Sequence, residues 1–600
     1  MSNNFPVPDP DRPWTRHYSD GVLTSFSLPE GSLVDMVETS VRKYGSKTAL
    51  QFFGATTSYA ELGEQIRRAA AGLQKLGVRK GDRVALVLPN CPQHVVAFYA
   101  ILRLGAVVVE HNPLYTDREL RHQFEDHGAT VAIVWDKTVQ QIQDLPADIP
   151  VHTIISVGLI EAMPLSNRLA LKLPVAKART ARAALTADKR PRSGARKVLT
   201  WKTLLDTRPL RRRHPRPESS DLAAIQYTSG TTADPKGAML SHANLMANAA
   251  QGRAWVQGLR PGKETVYAVL PMFHAYGLTL SLTFAMSMGA RLVLFPKFDV
   301  DLTLQAMKKT PATFLPAVPP IYDRLAAAAA EQGVSLKGVR FAISGAMNLP
   351  PKTVETWEAA TGGHLIEGYG LTETSPVALG NPFGPSRKPG TVGVPFPETD
   401  IRIVDPENPT VEVQYGTPGE LLIKGPQVFG GYWNKPRESE AALLEGGWFR
   451  TGDIVSMDDD GFVTIRDRIK ELIITGGFNV SPSEVEDALK RHESVDDAAV
   501  VGMARTGGGE DVVAAVVLKP GSGFNAEGLR AYVRNELAAY KVPRRIVEIQ
   551  ELPRSLIGKV LRRHVRDNLQ NGIDGSSATP DQGTAPVNPD AGPAGAPKQP

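Results

Sequence analysis

Six hundred residues are too many for one compact core, and a hydrophobic share of 42% lets most of the chain bury one, so several structural units are expected. A single cysteine, Cys91, excludes an internal disulfide framework and suits a cytoplasmic protein. The net charge of +5 hides a concentration: residues 168–216 carry +14 and the remainder −9, so the basic surplus belongs to one segment.

Residues 1–30, opening MSNNFPVPDPDRPW, read as a loose lead-in without the apolar stretch of a secretory signal. Nowhere does an apolar run reach the ~18 residues that a bilayer span requires. From residue 31, LVDMVETSVRKYG and AELGEQIRRAAAGLQKLGV space their apolar residues as amphipathic helices. DRVALVLP, HVVAFYAILRLGAVVVE and ATVAIVW add continuous apolar strands, the pattern of a largely parallel sheet with helices on both faces. Cys91, between turn formers in LPNCPQH, reads as a small buried thiol.

Residues 156–216 break this rhythm. SNRLALKLPVAKARTARAALTADKRPRSGARKVLT reads either as a solvated surface linker or as a patch that meets an anionic membrane surface. No aromatic residue interleaves its charges before Trp201, which argues against nucleic acid. The α/β pattern then returns with TVYAVLP, ARLVLFP, VRFAISG and GELLIKGP as strands, while YGLTLSLTFAMSMGARLVLF reads as a buried helix followed by a strand. A large domain over 31–466 is therefore expected, then a smaller α+β unit over 467–571 with helices in SPSEVEDALKRH and AEGLRAYVRNELAAY. The tail, 572–600, is mostly Gly, Pro, Ala, Ser and Asp, a composition that predicts disorder.

The chemistry begins at YTSGTTADPKGAM, Tyr227 to Met239. A Walker loop needs Gly before its lysine and a hydroxyl after it; Pro235 and Gly237 stand at those two places, so that reading fails. The phosphate chemistry survives. Small residues let backbone N–H groups point inward, the Ser229, Thr231 and Thr232 hydroxyls can donate to phosphate oxygens, and Lys236 supplies a cation.

The string resembles the signature of the adenylate-forming superfamily, which includes acyl-CoA synthetases, adenylation domains and beetle luciferases. LPMFHAYGL, ISGAMNLP, EGYGLTETSP, WFRTGDI, DRIKELIITGGFNVSPSEVE and LPRSLIGKVLRR follow in that family's order over about residues 30 to 567. SLVDMVE and TGGFNVSP resemble the wording of bacterial long-chain fatty acid–CoA ligases. The resemblance implies an α/β fold with a large multi-subdomain N-terminal adenylate-forming domain and a small C-terminal lid domain. It also implies two reaction steps: a carboxylate attacks the α-phosphorus of ATP and expels pyrophosphate, then the coenzyme A thiolate takes the acyl group.

By that resemblance Thr228, Ser229, Gly230, Thr231, Thr232 and Lys236 hold the β- and γ-phosphates, and Thr372 touches the α-phosphate beside Gly370. Glu373 reaches Mg²⁺, a hard ion that prefers oxygen ligands. Asp453 accepts from the ribose hydroxyls, Arg468 sits near ribose and phosphate, Gly345, Ala346 and Met347 line the adenine face, and Tyr369 stacks on that ring. Lys559, after Gly558, bridges carboxylate and α-phosphate; the family often has Ser-Gly-Lys where this chain has Ile557-Gly558-Lys559. Lys470 falls at the interdomain hinge and Gly477 at the glycine that lets pantetheine pass. His274 is read as a steric or orienting wall rather than an acid–base group, and the small, apolar residues after it suit either an alkyl tunnel or plain core.

Competing readings are an acyl-AMP ligase that loads a carrier protein, a medium-chain or aryl-acid CoA ligase, and a nucleotide-binding scaffold. Loss of Lys559, Glu373 or Asp453 would favour the last, and all three are present. The expected partners are ATP, coenzyme A and a fatty acid, with no nucleic acid, a homodimer, and a cytoplasmic location at the inner face of a membrane.

Overall fold

A computed structural model describes residues 12–187, 194–228, 235–475, 478–505, 510–555 and 558–572. They divide into two compact units. The larger runs up to Lys470 and takes in Gly558 and Lys559; the smaller holds Glu471–Ser555 and the chain from Val560.

The larger unit contains a seven-stranded sheet ordered Lys197–Thr200, Thr153–Val157, Val131–Trp135, Arg83–Val87, Val107–Glu110, Leu222–Thr228, Lys236–Ser241. Every neighbouring pair is parallel except the last. Its inner strands are unbroken apolar runs because both faces are covered: Val107–Glu110 and Val131–Trp135 are buried throughout. Covering helices start where the sequence supplies caps. Ser32, Ser58 and Thr116 each accept from the third residue's N–H, and the acid at that third position returns the bond, opening Leu33–Tyr44, Tyr59–Lys75 and Asp117–His127.

A second sheet has nine strands. The central six, His364–Gly370, Phe341–Ser344, Phe314–Ala317, Thr265–Ala268, Arg291–Leu294 and Thr48–Phe52, are all parallel. The helix-then-strand expectation for Tyr276 to Phe295 is met: Ala275–Gly277, Leu278–Thr283 and Phe284–Met288 run on as one buried helix, widened to π-type winding in its middle part, before strand Arg291–Leu294. Gly289 makes the change of direction. Its φ is +70° and an added Cβ would lie 2.0 Å from the Tyr44 ring, so no other residue fits. A third, antiparallel sheet joins Asp400–Val404, Gly419–Lys424, Trp448–Met457, Leu443–Leu444 and Val463–Arg468.

The smaller unit packs helices Pro482–Lys490, Ala526–Glu536 and Arg562–Gln570 with a sheet of Val495–Ala504, Glu510–Leu518 and Arg545–Glu548. Its core includes Val485, Leu489, Val500, Ala514, Leu529 and Val533. Arg562 ties this unit's start to its end, paired with Glu471 and, at 2.7 Å, with Glu486. Among the described residues no helix is long and apolar enough to cross a membrane.

Much of the basic segment is built structure. Strand Lys197–Thr200 extends the seven-stranded sheet parallel to Thr153–Val157. Just before it, the buried Arg196 donates to the carbonyls of Val151 (2.9 Å), Gln143 (2.9 Å), Leu145 (2.8 Å) and Pro146 (2.7 Å), so one guanidinium satisfies a whole turn of buried acceptors. Helix Trp201–Leu205 then buries Trp201 and Leu204. It meets helix Tyr59–Lys75 so closely that a Cβ on Gly72 would stand 2.2 Å from the Leu204 carbonyl oxygen. Farther on, buried Arg103 donates to the carbonyls of Pro215 (3.0 Å) and His214 (3.1 Å) and pairs with Glu38.

Arg196→Met keeps the bulk and removes the donors. It is expected to lower the stability of the larger unit by about 2–4 kcal/mol, read as a lower urea midpoint for its unfolding; an unchanged midpoint would mean that the turn is held by other groups.

Candidate active site

Parallel sheets present their loops at the carboxyl ends of their strands, and ligands of open α/β sheets collect there. Such ends from both sheets, Glu110, Thr228, Ser344 and Gly370, open onto one cleft of about 590 Å³. Most of the residues singled out in the sequence line it: Thr228, Lys236, His274, Gly345, Ala346, Tyr369, Gly370, Thr372, Glu373, Arg468 and Lys559. Met347 and Asp453 are not in the lining. Ser229, Gly230, Thr231, Thr232 and Gly477 fall outside the described residues, as does the side chain of Lys470, whose backbone ends the larger unit. Thr228 and Lys236 themselves face each other as a pair in an antiparallel ladder, which brings the two ends of the phosphate-type motif together.

The loop after strand His364–Gly370 is tightly determined. A Cβ on Gly370 would lie 1.8 Å from the Pro376 carbonyl oxygen, so the chain folds back on itself only with glycine there. The Leu371 N–H donates to that same carbonyl at 3.0 Å and to Thr374 Oγ1 at 3.0 Å. Between these anchors sit Thr372 and Glu373. Glu373 is buried; its backbone carbonyl accepts from the Phe429 N–H at 2.8 Å and its Oε1 from the Tyr432 hydroxyl at 2.7 Å. Burial pushes the Glu373 carboxyl above its ordinary range, and the Tyr432 bond partly offsets this. Lys236 Nζ lies 4.8 Å from the centre of the Tyr432 ring, within cation–π range. Tyr432 therefore joins the lysine and the carboxylate.

A second group forms around Asp453. The Tyr369 hydroxyl donates to its Oδ2 at 2.6 Å and Arg468 Nε lies 2.7 Å from its Oδ1. Burial, then the Asp453 charge, holds the Tyr369 phenol well above its usual range, so it stays a donor. The Tyr369 ring lines the cleft while its hydroxyl reaches back to a carboxylate that is almost fully buried. Across the cleft, Gly345 leaves only 3.3 Å between an added Cβ and either the Gly368 carbonyl or the Tyr276 ring. Tyr276 is fixed from behind by donation to the Ile343 carbonyl at 2.6 Å.

His274 Nδ1 accepts from the Tyr276 N–H at 3.2 Å and so caps the start of the buried helix. That leaves Nε2 as the proton-bearing nitrogen. Burial pushes its imidazole down to about 4, which makes it a neutral wall at physiological pH.

Three lining residues escape a sequence reading. Tyr432 lies in FGGYWNKP, a turn-like string with nothing to tie it to Glu373. Glu110 and Gln226 are register partners on neighbouring strands, hence on one face. The Glu110 carboxylate pairs at 3.0 Å with His94, both side chains fully buried, while Glu110 Oε2 and Gln226 Oε1 have no donor among the described residues. One wall of the cleft is thus polar and acceptor-rich.

Comparison with known proteins follows the same lines. A family model described as AMP-binding enzyme matches residues 37–433, and one for the AMP-binding enzyme C-terminal domain matches 484–559. The chain belongs to the AMP-binding enzyme family. It is 37% identical to a long-chain-fatty-acid–CoA ligase of Bacillus subtilis, over 92% of this chain and 97% of that one. With a protein of the same name from Escherichia coli it shares 36%, over 94% and 99%. A 4-coumarate–CoA ligase of rice is 34% identical over 87% and 91%. Among solved structures, an ATP-bound RpMatB-BxBclM chimera superposes with a TM-score of 0.75 at 30% identity, covering 90% of this chain and 99% of the other. An anthranilate CoA ligase in complex with anthranoyl-AMP gives 0.76 at 26%, over 91% and 98%.

The raised Glu373 carboxyl has a consequence for stability. Its charged form costs the fold free energy above its folded-state pKa, and the cost vanishes as pH falls below the ordinary glutamate range, where both states are protonated. Glu373→Gln is therefore expected to raise the melting temperature of the nucleotide-free protein at pH 7–8, the gain shrinking to nothing toward pH 4. An equal change at every pH would mean that the carboxylate is comfortably solvated.

Proposed function

We propose that the protein activates a long-chain fatty acid with ATP and transfers the acyl group to coenzyme A. In the first step a carboxylate oxygen of the acid bonds to the α-phosphorus and the bond to the β-phosphate oxygen breaks, releasing pyrophosphate. In the second the thiolate sulfur bonds to the acyl carbon and AMP leaves. The observation that carries the reading is the convergence of the Lys236–Tyr432–Glu373 and Tyr369–Asp453–Arg468 groups on one cleft that Lys559 also lines. The similarity to ligases named for long-chain fatty acids supports the acid.

In this reading Lys236, with the hydroxyls of its motif, holds the β- and γ-phosphates, and Thr372 meets the α-phosphate. Asp453, already positioned by Tyr369 and Arg468, receives the ribose hydroxyls, while Tyr369 and the stretch Gly345–Ala346–Met347 bound the adenine. Lys559 places its charge between the attacking carboxylate and the α-phosphate, where negative charge accumulates. Lys470, at the limit of the larger unit, is the hinge for the second step, and Gly477 lets the pantetheine arm pass.

Magnesium fits this donor set. It is commonly held by one or two carboxylates together with substrate phosphates, and Glu373 offers one buried carboxylate inside the cleft. Among the described residues no cluster of three or more His, Cys, Asp or Glu side chains forms an all-protein cage. When bound, the ion would neutralise phosphate charge; Glu373 would hold it, and Tyr432 orients Glu373. We also place the protein in the cytoplasm as a homodimer, in contact with the inner face of an anionic membrane.

Pyrophosphate release with ATP and Mg²⁺ across short, medium, long and aromatic acids tests the reading. Turnover is expected to peak with long acids and to require coenzyme A. A burst indifferent to coenzyme A would assign a carrier-protein ligase instead, and silence with every acid would remove the catalytic reading. Lys559→Ala is expected to slow adenylation by about 10²–10³-fold while thioester formation from supplied acyl-adenylate stays within about threefold. Equal loss in both steps would take the assigned role from Lys559.

A further inference from the structure

Aliphatic side chains exposed singly are ordinary, whereas a contiguous exposed group marks a contact. Fourteen large apolar side chains are exposed among the described residues, and four of them fall within eleven positions: Leu165 (67%), Leu169 (55%), Leu173 (54%) and Val175 (52%). They lie on the excursion that leaves the seven-stranded sheet after strand Thr153–Val157 and returns at Lys197–Thr200.

The excursion is held at its base. Met163 and Ala178 are buried, and Leu171 and Leu185 pack partly against the core. Trp135 Nε1 donates to the Leu185 carbonyl at 3.0 Å, Lys137 Nζ to the Ala183 carbonyl at 2.8 Å, and Thr186 is bonded to Asp136. With the base fixed, the turn of helix Leu165–Ala170 puts Leu165 and Leu169 on one face, four residues apart, and that helix buries no side chain. Around the exposed leucines stand Arg168, Lys172, Lys177, Arg179 and Arg182, all exposed, and no acidic residue occurs from Pro164 to Ala187. Leucines outward among cations, without a single carboxylate, is the composition of a surface that rests in the headgroup region of a bilayer, its apolar groups among acyl chains and its basic groups at lipid phosphates.

We infer that this excursion is a membrane foot, which seats the protein on an anionic phospholipid bilayer through Leu165, Leu169 and Leu173 and the surrounding lysines and arginines. It deepens the membrane contact proposed above, and it places that contact on residues 163–186 rather than on the later run Arg211–Arg213 of the same basic segment. The backbone there is engaged within the fold, since Arg103 holds the Arg212 and His214 carbonyls and Arg216 pairs with Glu38 and Asp35, and no exposed leucine accompanies the run. Charge complementarity selects the occupant: an anionic lipid surface matches an acid-free basic rim, and a zwitterionic one does not. A substrate that partitions into bilayers gives such a seat its purpose.

Full-length protein is sedimented with vesicles of phosphatidylglycerol and phosphatidylcholine in equal parts, and with phosphatidylcholine alone, at low salt and at about 0.5 M salt, where surface charges are screened within a few ångströms. The parent is expected to bind the anionic vesicles about tenfold more tightly than the neutral ones. Leu165→Ser/Leu169→Ser/Leu173→Ser should lose most of the binding that survives high salt, and Arg168→Gln/Lys172→Gln/Arg179→Gln the salt-sensitive part. Equal sedimentation of all three proteins, or none by the parent, overturns the inference. So does a leucine variant that loses a dimer yet keeps its vesicle binding, which would assign the face to a second copy of the chain. Melting temperature and turnover of a soluble medium-chain acid should match the parent in both variants. If no acid is turned over by any of the proteins while vesicle binding still differs among them, the ligase reading fails and the foot stands.

Discussion

The cleft depends on one buried carboxylate. Asp453 belongs to the antiparallel sheet, on strand Trp448–Met457, yet its oxygens are held by Tyr369 from the nine-stranded sheet and by Arg468 near the end of the larger unit. Asp453 and Arg468 are also backbone partners in the ladder, so the ion pair and the strand register enforce each other. A charge this deep is tolerable only when paired and hydrogen-bonded, and the two partners come from different sheets. The requirement to satisfy Asp453 therefore locks the relative position of two layers of the larger unit, and with it the place of the Tyr369 ring in the cleft.

Glu373 solves a similar problem differently. Its burial pushes the carboxyl upward, and the hydrogen bond from Tyr432 offsets only part of that. Such strain at a single acid is what a site needs if a cation is to bind there, because the cation restores what burial withholds. Lys236 does not neutralise the carboxylate directly: its ammonium lies over the ring of the same tyrosine. A cation and an anion are thus kept close without collapsing into an ion pair that phosphate would have to break.

The elements that sequence reading recovers are those whose burial is imposed locally. Val131–Trp135 and Phe341–Ser344 are short apolar runs between turn signals, and the helix starting at Leu33 carries its own capping residues. The residues around the cleft were legible where a motif gathers several of them, as in EGYGLTETSP. Tyr432, Glu110 and Gln226 were not, because their importance comes from topology: Glu110 meets Gln226 only when two distant strands become neighbours. The basic segment was misleading for a related reason. Arg196 and Arg103 look like any other cations in a charged stretch or on a helix, but each is spent on buried carbonyls that no pattern announces.

Set beside each other, the buried and the exposed cations of this chain explain where its charge is concentrated. Arg196, Arg103 and Arg216 serve the fold and need no external partner. Of the exposed cations, Arg168, Lys172, Lys177, Arg179 and Arg182 lie on the excursion between Met163 and Thr186, next to leucines that the core leaves out. Folding alone gives no reason to expose three leucines on a segment whose other apolar residues, Leu171 and Leu185, do pack inward. The division between inward and outward leucines on one short stretch is a sorting by face, and a face sorted in this way, with its rim free of carboxylates, is shaped by what lies outside the molecule rather than by its interior.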